Sequence, residues 1–283
     1  MNEPTLQQVV AEIDRLPALS TVVQDLLDYL HHPDVDIGQV ALRIARDPTL
    51  AARLLRVANS SFYGLQGRVA TIADALVVLG LRAVRTLVSG SAVAAHLKSL
   101  ATGCDDRAFW SHSAGTALCA RVVARKVGAN SESAFTAGLL HDIGWLILAA
   151  RFPEAQQGVA AYRVRNDCYS LAAEHAVLGF DHAQIGAALA ARWKFPAEIA
   201  AAISGHHSPA EQSGEAGAQV TMVDLVHVAN VLAHALEFPG GEDDLVPPLS
   251  AASWQRLGLP WSELPRLLGA IDAQRGEAEM LLE

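Results

Sequence analysis

The chain has 283 residues, of which 51% are apolar and 6% are aromatic, and it carries a net charge of −9. This apolar content excludes a chain that is disordered throughout, and abundant alanine with few aromatic residues favours packed helices over a sheet. The acidic excess lies in 208–283, with twelve acids and three arginines, so the chain lacks the basic footprint that nucleic-acid binding needs.

Along the chain, apolar residues recur at intervals of three and four, which is typical of helices that bury one face. Glycine and proline residues divide this pattern into segments of ordinary helix length. The predicted helices are 5–15, 19–31, 36–46, 48–59, 71–79, 81–98, 107–127, 132–150, 153–165, 170–178, 182–193, 196–205 and 219–237. The segment 208–218 is predicted as a flexible connection, and one or two small helices are expected after residue 244. The prediction is an all-α fold.

The three cysteines form no CxxC pair, which is typical of a reducing compartment. The first residues show no signal-peptide pattern, and no uninterrupted apolar run reaches the roughly 18 residues that a membrane span needs. We therefore expect a cytoplasmic protein that does not enter a membrane.

The segment 134–150 is apolar on every side except at His141 and Asp142. A helix that is hydrophobic all round belongs in the interior, where a carboxylate needs a partner of opposite charge or a metal ion. Residues 127–150 contain no lysine or arginine. Because imidazole and carboxylate groups both bind divalent transition metals, the pair indicates a metal site. An isolated histidine is more commonly an ordinary core or surface residue, so this hypothesis depends on companions.

Further imidazole groups occur at the ends or along one face of other predicted helices. Asp181 is suited to cap the helix that His182 opens, and Gly186 one turn later permits a close approach. On helix 219–237, three polar groups fall within about 60° of arc at 100° per residue. The groups outside the His141–Asp142 pair are His112, His182, His206, His207, His227, Asn230 and His234. Their convergence on one interior would create a metal site.

Four arginines stand close together in the first hundred residues: Arg43, Arg46, Arg53 and Arg56. One interpretation is that they lie on solvated helix faces, because Pro48 separates them into two helices. The other interpretation is a surface for a partner or an anionic ligand.

The order of the histidines, together with other short motifs, resembles the HD superfamily of metal-dependent phosphohydrolases. In particular it resembles the HDOD branch, the HD-related output domain of bacterial signalling proteins. The other motifs are Leu16-Pro17-Ala18-Leu19, Asp47-Pro48-Thr49-Leu50, Arg56-Val57-Ala58-Asn59-Ser60, Leu79-Gly80-Leu81, Gly138-Leu139-Leu140-His141-Asp142-Ile143-Gly144, Glu174-His175 with Gly179, and Trp193-Lys194-Phe195-Pro196. The resemblance runs from about residue 12 to about residue 212.

The resemblance implies a multi-helix HD-like bundle with an N-terminal helical lobe to about residue 100 and a core from about residue 101. It also implies that 213–283 is an acidic extension whose helix 219–237 completes the core. By position, the implied metal ligands are His112, His141, Asp142, His182, His206 and His207. These ligands would hold one or two ions of iron, manganese or zinc, and Asp142 would bridge the ions if there are two. Asn230 stands where the family has its last ligand, an aspartate, unless Asp224 replaces it.

Two functions are compatible with this resemblance. The first is a regulatory module that binds a signalling partner protein or a small anionic nucleotide, through the four arginines or the acidic extension. The second is a phosphohydrolase acting on a nucleotide or cyclic dinucleotide, with Asp142 in the catalytic centre. Trp145 stands where catalytic relatives often have a lysine, so Lys194, Arg192 or Arg107 would have to supply positive charge. The HD-GYP phosphodiesterases, a related branch, have a glutamate at the position of Ala108 and a Gly-Tyr-Pro signature where this chain has Ser208-Pro209. The absence of both favours the first function. Iron-based redox sensing is a further, lesser alternative.

Overall fold

The computed structural model describes residues 3–15, 21–30, 32, 34–59, 69–100, 106–193, 195–209, 219–238 and 245–276. Within these residues the regular elements are helices and no strand occurs, so the all-α prediction is confirmed. Two compact units divide the chain: residues 17–98 form one, and residues 1–16 with 99–282 form the other. The predicted connection at 208–218 lies outside the described residues from 210 onward.

In the described residues of the N-terminal unit there are four helices, each with buried apolar side chains. The helices are α2 (Thr21–Leu30), α3 (Ile37–Ile44), α4 (Pro48–Ala58) and α5 (Ile72–Leu100). Asp36 caps α3 by accepting a hydrogen bond from the Gln39 amide. The predicted helices 71–79 and 81–98 form α5, which is interrupted at Gly80, where φ is 75°. A glycine permits this left-handed conformation, so the predicted break marks a kink.

The larger unit holds the remaining helices. They are α1 (Leu6–Asp14), α6 (Asp106–Lys126), α7 (Ser131–Leu140), α8 (Ile143–Arg151), α9 (Pro153–Asn166), α10 (Ser170–Leu178), α11 (His182–Arg192), α12 (Ala197–Gly205), α13 (Met222–Ala235), α14 (Ala251–Arg256) and α15 (Leu264–Asp272). Helix α6 packs against α7 and α13, and α11 packs against α8 and α12. Helix α1 packs on α11 and α8 through the fully buried Val9 and Ile13. It therefore belongs to this core and not to the N-terminal lobe.

The predicted helix 132–150 is wrong in one respect, because it is two helices. His141 keeps helical dihedral angles, whereas Asp142 has φ −97° and ψ 16°, so α7 ends and α8 begins around this pair. Among the described residues, 131–151 is the one stretch long and apolar enough to cross a membrane, and 83% of its apolar 18-residue window is buried. The turn presents His141 and Asp142, the two strongly polar groups of 134–150, to the centre of the bundle.

Helices α8 and α11 approach each other at a pair of glycines. A methyl group on Gly144 would lie 1.9 Å from the His182 carbonyl oxygen, and one on Gly186 would lie 2.6 Å from the Ile203 side chain. The close approach expected at Gly186 is therefore confirmed.

Replacing Gly144 with alanine is expected to destabilise the protein by about 2 kcal/mol, because the methyl group must displace the backbone of α11. Urea unfolding at neutral pH measures this change. Gly269→Ala is the matched control, since Gly269 lies exposed in α15 with nothing within 4 Å of its missing methyl group. Equal stability of the Gly144→Ala variant and the unchanged protein would contradict the close approach.

The C-terminal segment is held to α13 by a buried ion pair. The Asp224 carboxylate accepts hydrogen bonds from Arg256 (Nε, 3.0 Å) and from the Ser253 hydroxyl (2.7 Å). Asp224 also completes a capping box with Thr221 at the start of α13. Burial acts to raise the pKa of Asp224, but the bonds from Arg256, Thr221 and Ser253 hold it below its usual range. The predicted small terminal helices are confirmed as α14, a short 3-10 turn and α15.

Replacing Asp224 with asparagine is expected to cost about 2 kcal/mol at pH 7, because a charge-assisted pair is lost. The folded-state pKa of Asp224 lies below the unfolded value of about 3.9, so its stabilisation is present above that pH and is lost on further acidification. Unfolding at pH 7 and pH 3.5 should therefore show a stability difference that shrinks in acid. A difference that stays constant with pH, or an equal loss in the control Asp272→Asn at an exposed ion pair, would contradict this reading.

Candidate metal centre

The Asp142 carboxylate is the centre of a buried cluster of imidazole groups. Its Oδ2 lies 3.0 Å from His141 Nε2 and 3.6 Å from His112 Nε2. Its Oδ1 lies 3.2 Å from His206 Nε2 and 3.4 Å from His182 Nε2. These four histidine side chains are at most 2% exposed. Four separate helical segments thus direct ring nitrogens at one carboxylate.

Further contacts connect His207 and Asn230, the last two implied ligands, to the cluster. His207 Nε2 lies 2.8 Å from His182 Nε2, and its ring packs against that of His206. On the opposite side, Asn230 Oδ1 lies 3.0 Å from His112 Nε2. All seven implied ligand residues therefore meet in one place.

Hydrogen bonds of the Nδ1 atoms, on the side of each ring away from Asp142, fix the orientation of the His141 and His206 rings. His141 Nδ1 donates to the Gly138 carbonyl at 2.7 Å, and His206 Nδ1 donates to the Ile203 carbonyl at 2.9 Å. A carbonyl oxygen can only accept, so each Nδ1 carries a hydrogen, and the Nε2 atom that points to the centre is the nitrogen that can bind a cation. Metal-binding histidines are oriented in this way in proteins generally.

His182 is oriented by a carboxylate, which the sequence reasoning did not single out. Its Nδ1 lies 3.0 and 2.9 Å from the two oxygens of Glu174, and its backbone amide donates to the same carboxylate at 2.9 Å. Both side chains are fully buried. Glu174 belongs to the Glu174-His175 motif of the family resemblance. An acid shortly before a histidine that opens a helix is the sequence signal that identifies it.

Two of the residues considered for this site are directed elsewhere. His227 Nδ1 donates to the His206 carbonyl at 2.7 Å, and its Nε2 accepts from the Ser250 amide at 2.9 Å. Asp224 is held by Arg256, so it does not replace the aspartate that the family has near Asn230. His234 remains near the cluster, with its ring 4.7 Å from that of His112.

The protonation states match those of a cation site. Burial lowers the pKa of His112 to about 3, and it lowers the pKa of His206 as well. Burial together with His206 and His182 lowers the pKa of His207 well below its usual value. Burial acts to raise the pKa of Asp142, but the neighbouring imidazoles, above all His141, hold it well below its usual value. His112, His206 and His207 are therefore neutral beside an ionised carboxylate, which are the states that metal binding requires.

The spacing of the donor atoms fits a transition-metal ion. Ligand atoms at about 2.1 Å from one ion lie about 3.0–3.4 Å from each other. Asp142 forms one group with His112 and His141, and another with His182, His206 and His207, each with ligand atoms within 4.8 Å of one another. Asp142 Oδ1 and the Nε2 atoms of His141 and His206 are buried without hydrogen-bond partners. A mixed imidazole and carboxylate set suits iron, manganese or zinc, and one or two ions can be held.

The remaining predicted residues do not join this cluster in the described part of the chain. Arg43 pairs with Asp25 at 3.1 Å and lies over the Tyr29 ring, whereas Arg46 and Arg56 are exposed. Arg192 is exposed on α11. Lys194 and the side chains of Arg53 and Arg107 lie outside the described residues.

Trp145, which occupies the position of the lysine in catalytic relatives, stacks on Phe109. The two ring planes differ by 8° and their centroids lie 5.5 Å apart. Phe109 precedes His112 by about one turn of α6, and Trp145 follows Asp142 by about one turn of α8. An aromatic pair therefore stands about one helical turn from His112 and from Asp142.

A search of known families and structures agrees with this architecture. The family model of the HDOD domain matches residues 16–209. An uncharacterised protein of Treponema pallidum (strain Nichols) is 25% identical over 202 residues, which cover 71% of this chain and 39% of that protein. The chain thus spans about two fifths of the length of this relative.

Three crystal structures show the same kind of fold. An HDOD domain protein of Geobacter sulfurreducens has a TM-score of 0.77 and 24% identity, covering 96% of this chain and 97% of that one. A candidate phosphohydrolase of Shewanella amazonensis SB2B has a TM-score of 0.73 and 29% identity, covering 97% and 98%. A candidate signal transduction protein of Marinobacter aquaeolei VT8 has a TM-score of 0.73 and 27% identity, covering 100% and 62%.

The helical bundle and its histidine cluster define a protein of the HD type. The family match covers more than half of the chain, and the resemblance predicted from the motifs is thereby confirmed. The chain belongs to the HDOD family.

Proposed function

We propose that this chain is a regulatory HDOD protein of a signalling system whose core binds one or two divalent transition-metal ions. The observation that carries the metal proposal is the convergence of imidazole nitrogens on the buried Asp142 carboxylate. Within the described residues, the ion-pair partners of Asp142 and Glu174 are histidines, with no lysine or arginine among them. Two buried carboxylates with no lysine or arginine beside them favour a bound cation.

The regulatory part of the proposal rests on the groups around the cluster. Trp145 packs on Phe109 and offers no charge to a phosphate. Asn230 is neutral and approaches His112, so the cluster has fewer anionic ligands than a site with an aspartate there. The cluster offers ligands for a metal ion, but Trp145 and Asn230 provide no positive charge that would bind a phosphate. A metal in this setting stabilises and shapes the core of a domain that binds a partner protein or a small anionic ligand.

Elemental analysis of protein purified without chelators tests the metal proposal. The expected result is at least one equivalent of iron, manganese or zinc per chain, removed by a chelator with a fall in melting temperature. Protein that contains no metal, and does not bind any of the three on addition, would end the proposal.

The second candidate is a metal-dependent phosphohydrolase acting on a nucleotide or cyclic dinucleotide. It is favoured by Asp142 being common to two ligand groups, which is the arrangement of two-metal sites. Bound ions would polarise a phosphoryl group and activate water. The chain's own part would be to hold the ions through Asp142 and its histidines, and to keep His182 oriented through Glu174.

A release assay separates the two candidates. Cyclic dinucleotides and phosphomonoesters are incubated with the protein and added manganese or iron, beside an Asp142→Ala variant. The regulatory proposal expects no turnover above that of the variant. Turnover by the unchanged protein that disappears in the variant would establish the phosphohydrolase instead.

A further inference from the structure

His227 connects the C-terminal segment to the backbone of a candidate ligand. It is 5% exposed on α13, and it uses both ring nitrogens. Nδ1 donates to the carbonyl of His206 at 2.7 Å, and Nε2 accepts from the amide of Ser250 at 2.9 Å. Burial lowers the pKa of His227, in agreement with a neutral ring that donates at one side and accepts at the other.

The carbonyl that His227 binds belongs to the end of α12. His206 is the C-terminal cap residue of α12, and the carbonyls of a last helical turn have no partner within the helix. His206 and His207 both direct ring nitrogens into the cluster, so the bond from His227 fixes the peptide that joins them. The direction of both imidazoles depends on that peptide.

The other side of His227 contacts a segment beyond the family model, which ends at residue 209. Ser250 precedes α14, and α14 is held to α13 by the Asp224–Arg256 pair. The similarity to the Shewanella structure covers 97% of the chain and so extends through most of this C-terminal part. The segment is therefore a regular part of the fold and lies directly behind the cluster.

We infer that His227 is a positioning residue for the metal centre, and that the segment 245–256 supports the centre through the Ser250 amide. This inference rests on the proposed metal binding. It assigns the C-terminal segment a role in how tightly and in what geometry the ion is held.

Two substitutions of His227 separate its two hydrogen bonds. The amide of asparagine lies where Nδ1 lies, so His227→Asn keeps the bond to the His206 carbonyl. The amide of glutamine lies where Nε2 lies, so His227→Gln keeps the bond from Ser250 and loses the other. Cobalt(II) is the probe, because its visible absorption reports ligand geometry. We expect His227→Asn, which loses only the bond from Ser250, to bind cobalt much more tightly than His227→Gln and to show the same spectral change as Ser250→Pro. We expect His227→Gln to bind roughly 10–100-fold more weakly with an altered spectrum.

A pair of substitutions at Ser250 tests the same link from the other side. Ser250 has φ −66°, which proline adopts, so Ser250→Pro removes the amide hydrogen with the backbone otherwise accommodated. Ser250→Ala is the matched control, since it also loses the hydroxyl cap of α14 but keeps the amide. We expect the proline variant to alter the cobalt spectrum and the alanine variant to leave it unchanged.

The outcomes distinguish this inference from the metal proposal. No cobalt binding by the unchanged protein overturns both. Binding by the unchanged protein, with unaltered affinity and spectrum in His227→Gln and Ser250→Pro, overturns the positioning role alone. Equal weakening in the two His227 variants also overturns it, because general loss of packing explains that result. Melting temperatures measured with chelator identify any variant that is merely unfolded, and the Ser250 pair then decides.

Discussion

Replacing Asp142 with alanine is expected to abolish metal binding at the centre. Its carboxylate is shared by both groups of candidate ligands, so one substitution removes a ligand from each. The remaining groups are imidazoles and the Asn230 amide, none of which offers a divalent ion an anionic ligand. We expect metal affinity to fall by more than about 100-fold, beyond the loss typical of changes in residues that only orient ligands.

The effect on stability depends on the metal. An ion at 1,000 times its dissociation constant stabilises the folded chain by about 4 kcal/mol, and the Asp142→Ala variant should lose this gain. Without metal, the variant should melt close to the unchanged protein, since the substitution removes a carboxylate from a buried site. Elemental analysis and thermal melting with and without added metal measure both quantities. Asp272→Ala is the matched control, because Asp272 is 62% exposed in an ion pair with Arg275. Wild-type metal content in the Asp142→Ala variant would contradict the central role of this carboxylate.

The residues of the cluster could be predicted because their chemistry contrasts with their surroundings. His141 and Asp142 stand out in a segment that is otherwise apolar, and the other histidines open or end predicted helices. Helix bounds were predicted to within a few residues for the same reason: apolar spacing and the glycine and proline stops are local signals. The resemblance then placed these local signals in one family, and the family match confirmed that step.

The turn at Asp142 could not be predicted from the same signals. Apolar residues continue on both sides of the His141–Asp142 pair, so periodicity alone indicates one helix over 132–150. The turn depends on contacts that Asp142 makes with residues far along the chain, such as His206. A local pattern contains no information about such partners.

The sequence predicts that His227, Asn230 and His234 share one face of α13, but it does not predict which residues this face contacts. Residues 224–233 of α13 are all buried, so neighbours surround the helix on every side. Asn230 contacts His112, whereas His227 contacts the end of α12 and Ser250. A spacing of 100° per residue says which residues share a face, and only the packed structure says which neighbour that face meets.

Replacing Glu174 with glutamine is expected to weaken metal binding roughly 10–100-fold without removing any ligand. The carboxylate holds His182 Nδ1 with both oxygens, which directs Nε2 towards the centre and makes the ring a stronger donor. Glutamine has the same size but is neutral, and its amide nitrogen cannot accept a hydrogen bond. Titration with zinc or cobalt at neutral pH measures the affinity, and the cobalt spectrum reports the geometry of His182.

The effect of Glu174→Gln on metal affinity can be separated from its effect on the packing of the folded chain. Glu174 also accepts a hydrogen bond from the His182 backbone amide at 2.9 Å, so Glu174→Gln should lower stability somewhat even without metal. Melting in the presence of a chelator measures that structural part by itself, and the loss of affinity must exceed it. Glu198→Gln is the matched control, since Glu198 lies exposed in the first turn of α12 and should leave affinity unchanged. A Glu174→Gln variant with unchanged affinity and spectrum would mean that the backbone alone positions His182, because the buried carboxylate would then contribute nothing to the lone pair at the centre.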